Sequence, residues 1–337
     1  MFKKFVFLFI LLVLVSFTLT AEAAPKYSLK LAFEEVTGSM EYKFAAKFKE
    51  YVEKESKGEI SLSIFPGQQL GDPFAMLESA QTGVIDIVNI NGGSVATVLK
   101  EYTLFSVPSL FPEDMEKNRK LFSTGFVKKL TANAEKTGLK FLGIYIEPFF
   151  SLTANRKIEK PEDFKGLKVR TMNSPIILAT YKALGANPTP IPFFEVYSGL
   201  QTNLIDAQEN PLNIIYEMSF HEVQKYLILT SHSTTVNVFF INQKLFDGMS
   251  KNLQEIVMEG GRVAQDYMFS EVPKIEKQAL EMLKKSGKIT IIECSPEIRA
   301  AYKKASEPAK EEFLKIVGEK EGQEILQALE AALKTIE

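Results

Sequence analysis

Arg170 lies in "GLKVRTMNSP" (166–175), at the end of an apolar run and just before Ser174-Pro175. A cap residue followed by proline predicts a helix start there. A guanidinium is costly to hold where a strand hands over to a helix, unless an anion meets it. Two readings meet that cost. An external carboxylate would accept two parallel hydrogen bonds from the planar fork, with the helix end adding N–H donors. An internal ion pair, with Glu195 or Asp206, would make Arg170 structural instead. Other candidates also stand at strand ends. Glu34 and Glu35 close the strand "YSLKLAF" in "FEEVTGS"; alternation would turn one inward and one outward, and both could equally be solvated loop acids. "PFFEVY" (192–197) puts Phe193 or Phe194 beyond another strand, although aromatics at that spacing also serve as core.

Catalytic patterns are thin. The chain has no Gly-rich phosphate loop, no nucleophile elbow and no His–Glu–x–x–His helix, and "NGGS" (91–94) is not followed by a P-loop lysine. Its two histidines, His221 and His232, argue against a dedicated metal site, and Cys294, the only cysteine, excludes an intramolecular disulfide. No cofactor is expected. With 40 basic against 42 acidic residues, no field favours nucleic acid. Tryptophan is absent and phenylalanine numbers 26, so an aromatic ligand wall must be built from Phe and Tyr.

The elements that position these residues alternate short β-rich runs with amphipathic segments, from Tyr27 past residue 200. "YSLKLAF", "EISLSIFP", "VIDIVNI", "LKFLGIYI", "LKVRT", "NPTPI", "IDAQEN" and "TVNVFFINQKLF" read as strands. Helices are expected after Ser39, over 73–83, 114–137, 175–184 and 195–203, and in a long run from Ser250 that Pro273 should kink or interrupt. The alternation predicts an α/β protein with mostly parallel sheets covered by helices. One internal echo sharpens this. "QTGVIDIVNINGG" from Gln81 and "QTNLIDAQENPLN" from Gln201 each read helix end, tight turn and a strand ending in asparagine, Asn91 and Asn210. Two similar lobes facing each other would bring both asparagines to a shared cleft, beyond the carboxyl ends of the strands. The N-terminus, with Lys3 and Lys4, an apolar run to about Leu19 and Ala21-x-Ala23, reads as a secretory signal over residues 1–24, cut near Ala23 or Ala24. The mature chain is therefore expected to be soluble and exported to the periplasm. Lys/Glu-rich helices over 296–337 are expected to pack on the second lobe.

At "PEDFKGLKVRT" and "EVYSGLQTNLIDAQENP" the sequence resembles the DctP-type solute receptors of TRAP transporters. The resemblance extends through "FPGQQLGDPFAMLESAQTGVIDI" and "EVQKYLILTSH" to the C-terminal helices. It implies a two-lobed periplasmic binding protein fold, with crossing strands and one long helix linking the lobes, that closes over a small organic acid and performs no catalysis. The lobes would comprise 25–147 with 236–275, and 148–235 with 276–337. The family's carboxylate-clamping arginine falls on Arg170, its cleft asparagine on Asn210 and the aromatic before "EVY" on Phe193. Many members carry a second arginine where "EPFFSLTANR" has Phe150, which speaks against a dicarboxylate. "AFEEVTG" and "VRTMNSP" are similar to the ectoine-binding members, which set a glutamate, here Glu34, against a cationic part of the ligand. Asn213 stands where those members tend to place a stacking phenylalanine. The expected partners are a small carboxylate and TRAP permease subunits, with the protein a monomer or dimer. A sensor that presents its closed form to a membrane receptor is the alternative.

Overall fold

The computed structural model describes residues 24–336; all but the last residue of the expected signal lies outside them. The strands are β1 (Tyr27–Phe33), β2 (Ile60–Phe65), β3 (Ile87–Asn91), β4 (Leu139–Ile146), β5 (Phe150–Ala154), β6 (Lys168–Thr171), β7 (Asn187–Pro190), β8 (Ala207–Pro211), β9 (Tyr226–Leu229), β10 (Val236–Asn242) and β11 (Thr290–Glu293). They form two sheets, in the orders β2-β1-β3-β10-β4 and β11-β9-β5-β8-β6-β7. Each sheet is parallel except for one strand inserted near its middle. β10 runs antiparallel to β3 and β4, and β5 runs antiparallel to β8 and β9. These two strands lie next to the points where the chain passes from one sheet to the other. All seven residues of β10 are buried, as expected of a central strand covered on both faces.

The helix Met40–Glu55 begins where Ser39 Oγ accepts from the backbone N–H of Tyr42, and it lays Phe44, Phe48 and Val52 on the first sheet. The helix Lys251–Ser286 runs unbroken through Pro273, not interrupted there. Its first half buries Leu253, Val257 and Ala264 in the core of the first sheet, and its second half buries Ala279 and Leu283 in the second. One rigid element thus belongs to both lobes. It approaches the first sheet closely at Gly261, where a Cβ would fall 2.1 Å from the carbonyl oxygen of Leu142.

Two expectations need correction. The segment 114–137 is not one helix but Met115–Leu121, Gly125–Leu130 and a 3-10 turn, Ala134–Thr137. The break comes where Thr124 accepts from the N–H of Phe126 and caps a new start. The C-terminal segment does not all pack on the second lobe. In the helix Pro296–Val317, Ile298 and Tyr302 join the second-sheet core, whereas Ala309 and Phe313 join the first. The last helix, Glu319–Ile336, presents Ile325, Leu329 and Ala332 as one stripe and buries it in the first-lobe core, against the helices of 115–130. Lys129 pairs with Glu324, and Asn133 donates to Glu321 at 2.6 Å, along the rim of that contact. An apolar stripe at this spacing follows the nearest unfilled groove, which belongs to the first lobe.

Candidate functional site

On the second lobe the site begins with sheet register. Arg170 of β6 lies opposite Thr189 of β7 and Gln208 of β8. In a pleated sheet, Arg170, Gln208 and Asn210 therefore share one face, and Glu209 points to the other. Arg170 is only 5% exposed. Its Nε donates to the carbonyl of Ile191 at 3.2 Å, and its guanidinium carbon lies 5.8 Å from the ring centroid of Phe193. Neither Glu195 nor Asp206 reaches it. Asp206 accepts from the N–H of Lys168 at 3.0 Å and from Asn155 at 3.2 Å instead. Burial holds the guanidinium below its ordinary pKa, with the charge of Glu209 pulling the other way. The internal ion pair considered for Arg170 is absent.

Asn210 is buried at the end of β8, and its Nδ2 donates to Gln208 Oε1 at 2.5 Å. Phe193 opens a 3-10 turn, half-buried against Phe220, while Phe194 is 85% exposed. Of the two adjacent phenylalanines, Phe193 is the one beside the arginine. Phe150 begins β5; it is buried yet belongs to none of the three apolar clusters among the described residues. Its backbone ties the crossing, with its N–H donating to Ser233 and its carbonyl accepting from Thr230.

The first lobe contributes acids. Glu34 and Glu35 are both half-buried. The expected split, one inward and one outward, fails because β1 ends at Phe33 and strand alternation ends with it. Burial, with the charge of Glu35, raises the Glu34 carboxyl to about 7. Glu41, on the following helix, is buried and accepts from the Glu35 N–H at 2.9 Å; burial and the Glu35 charge push it well above the usual range. Glu147 follows β4. Burial first, then Glu35 and Glu34, raise it to about 8, while Asn237 and Asn91 bond to it; Asn237 Nδ2 donates to its Oε1 at 2.5 Å. Asn91 also has a structural task, since its Oδ1 accepts from the Gly93 N–H at 2.9 Å and caps the turn after β3. Glu35 in turn senses Glu217, at the end of the second-lobe helix Leu212–Glu217, so the acids border the gap between lobes.

The strand-end candidates thus fall into two groups: Arg170, Phe193 and Asn210 on one lobe, Glu34 and Asn91 on the other, with Phe150 on the crossing strand. Sequence reasoning missed Glu41, Glu147 and Asn237. It also missed a buried network on the opposite face of β8. Glu209 Oε2 accepts from the Tyr181 hydroxyl at 2.6 Å and bonds to His232 Nε2 at 2.7 Å, while the His232 ring stacks on Tyr302 with centroids 4.2 Å apart. The alternation that sets Asn210 toward the Arg170 face was the available signal for Glu209. Nothing comparable marked Glu147, which lies in the connection between lobes. Chemically, the second lobe offers a desolvated fork with donors left over, and the first lobe offers a group of carboxylates with no cation within ion-pair distance among the described residues. It has the parts to hold a small charged solute.

The chain is similar to known proteins in both sequence and fold. The profile of the family described as "Bacterial extracellular solute-binding protein, family 7" (DctP) matches residues 33–316. The ectoine-binding periplasmic protein TeaA of Halomonas elongata is 33% identical over 318 residues, 94% of this chain and 92% of its own. The 2,3-diketo-L-gulonate-binding periplasmic protein YiaO of Escherichia coli is 34% identical over 261 residues, covering 77% and 79%. The crystal structure of a TRAP periplasmic solute binding protein from Ochrobactrum anthropi superposes with a TM-score of 0.86 at 32% identity, covering 93% of this chain and 96% of that one.

Proposed function

Because the chain belongs to the DctP family of bacterial extracellular solute-binding proteins, the receptors of TRAP transporters, we propose that it captures a small organic carboxylate between its lobes and delivers it to the transporter's membrane subunits. The observation that carries this reading is Arg170: a buried guanidinium, with one N–H spent on a backbone carbonyl and no carboxylate within ion-pair distance among the described residues. A guanidinium has five donors, and desolvating them is costly until an anion accepts from them. Asn210 and the Phe193 ring flank the place such an anion would take. Ligand that touches both lobes favours the closed form by the contacts it makes only there. The site works in the periplasm, after removal of a signal ending near Ala23 or Ala24.

A second reading is favoured by the first-lobe acids. Their nearest charges are other glutamates, which suits a zwitterion better than a plain acid. The relative named for ectoine supports that choice and the one named for diketogulonate supports the plain acid. Native mass spectrometry of protein purified without refolding tests the proposal. A retained small acid, lost in Arg170→Ala, is the expected result; a retained neutral solute, or an acid kept equally by the variant, would sink it. Capture of the ligand-bound form by a receptor kinase and not by permease subunits would make the protein a sensor.

A further inference from the structure

The sheet face that carries Arg170 also carries a chain of buried amides. β5, β8 and β6 are neighbours, and their register sets Thr153, Gln208 and Arg170 side by side on one face. One row nearer the carboxyl end of β8, Ser151 lies opposite Asn210 on the same face. Gln208 and Thr153 are fully buried. Gln208 Nε2 donates to Thr153 Oγ1 at 3.0 Å, and Asn210 Nδ2 donates to Gln208 Oε1 at 2.5 Å. Each amide is thus oriented by the next group inward. The nitrogen and oxygen of a side-chain amide diverge from one carbon, so with Nδ2 turned in toward Gln208, Asn210 turns Oδ1 outward. That oxygen has no hydrogen-bond partner among the described residues. Unlike the partnerless oxygens of Asn237 and Asn213, it is not sealed from solvent. Ser151 Oγ, across the strand pair, has no side-chain hydrogen bond among the described residues either. Beside a guanidinium suited to an anion stands a neutral acceptor. It would repel the oxygens of a carboxylate, and what it can receive is a donor placed next to one.

We propose that Asn210 presents its carbonyl oxygen to the solute, held that way by Gln208 and Thr153, and so selects 2-hydroxy acids over 2-oxo acids of the same skeleton. The proposal rests on the carboxylate-receptor reading and narrows it. With the carboxylate on Arg170, a hydroxyl on the next carbon donates to Asn210 Oδ1 and can accept from Ser151. A 2-oxo group sets one carbonyl oxygen against another and leaves both without a donor. A 2-amino acid has donors as well, but its ammonium would stand close to the guanidinium, a like charge. Gln208 and Thr153 are positioning residues that act only through Asn210.

Calorimetry with matched acids tests this: hexanoate, each enantiomer of 2-hydroxyhexanoate and 2-oxohexanoate, together with propanoate, each enantiomer of lactate and pyruvate. In at least one set, a 2-hydroxy acid should bind the intact protein at least about fivefold more tightly than its 2-oxo counterpart, the worth of one hydrogen bond. Thr153→Val keeps the side-chain shape but leaves Gln208 Nε2 without its acceptor, so the Gln208 amide is free to turn, and Asn210 with it. The preference should then vanish or invert. Thr153→Ser supplies the hydroxyl again and should keep the preference. A merely structural loss would weaken the acids of a set alike and leave their ratio unmoved. If Thr153→Val does not fold, Gln208→Met breaks the same relay and is read in the same way. The proposal is overturned by a smaller ratio in the intact protein, by a preference for the 2-oxo acid, or by a ratio that persists in the folded relay variant. Should both acids bind equally and both weaken in Arg170→Lys, the carboxylate reading survives and this one does not. Should no acid bind, this inference fails, and the retained-solute experiment decides separately on the carboxylate reading.

Discussion

At the scale of the residue, the two sides of the proposed site make opposite demands. Arg170→Lys keeps the charge but replaces a planar fork with a point donor on a flexible stem. Losing one charge-assisted hydrogen bond, worth roughly 1.5–3 kcal/mol, should weaken carboxylate binding by about tenfold to a hundredfold. The melting temperature of the empty protein should hold steady, since no internal ion pair is lost; calorimetry and a thermal scan on the same variant check both. The acids set a pH dependence. Glu34 and Glu147 titrate near 7 and 8 in the folded protein against 4.5 for the free side chain. The folded state therefore holds protons that the unfolded chain has released, and stability is fully present below 4.5 and lost as pH rises through 7 and 8. Thermal scans of the empty protein should show a lower melting temperature at pH 8.5 than at pH 5.5; a rise would contradict the placement of these acids. Phe150 adds a ligand preference. With no second base at that position, succinate-like diacids should bind worse than matched monoacids, which competition calorimetry reads directly. How much of this site was legible in sequence depended on strand ends. Arg170, Asn210 and Glu34 could be named because each follows a recognisable β-run. Glu147 and Asn237 could not, since what makes them notable is a hydrogen bond between residues 90 positions apart.

At the scale of the element, periodicity was a good guide where one face meets water and a poor one elsewhere. The apolar face of Met40–Glu55 was readable because its outer face is charged. β5, β9 and β11 were not singled out; they are short, and β5 is buried throughout, so no alternation marks it. The last helix was recognised but assigned to the wrong lobe, because a stripe of Ile325, Leu329 and Ala332 states that something is covered without stating what. That correction makes a prediction. Leu329→Ala should cost about 2–5 kcal/mol, as for any buried leucine, although it lies only eight residues from the end of the chain. Denaturant unfolding measures it, and a loss under 1 kcal/mol would mean that the helix is a loose appendage. Gly261 offers a second test. A methyl group there would meet backbone, 2.1 Å from the Leu142 carbonyl oxygen, which a rotamer change cannot relieve. Gly261→Ala should destabilise by about 3 kcal/mol or more, at or beyond the upper end of ordinary overpacking.

At the scale of the whole molecule, two lobes share one long helix and are joined near 147–149 and 230–235. If those joints are the hinge and ligand closes the gap, X-ray scattering should show a smaller radius of gyration with saturating ligand than without. An unchanged profile in a protein whose empty form is demonstrably open would count against closure. The same joints have a bearing on how the chain acquires its structure. β10, the strand between β3 and β4 in the first sheet, arrives only at residue 236, after five of the six strands of the second sheet have been made. The second sheet waits for its edge strand at 290, and the first-lobe core is sealed only by the final helix. A chain that emerges from its N-terminus can therefore complete neither lobe early, unlike proteins whose domains fold one after another. Its first 235 residues expose β3 and β4 without the strand that belongs between them, two open edges that invite wrong pairings. Folding should be one late, cooperative event with many long-range contacts, and slow for that reason.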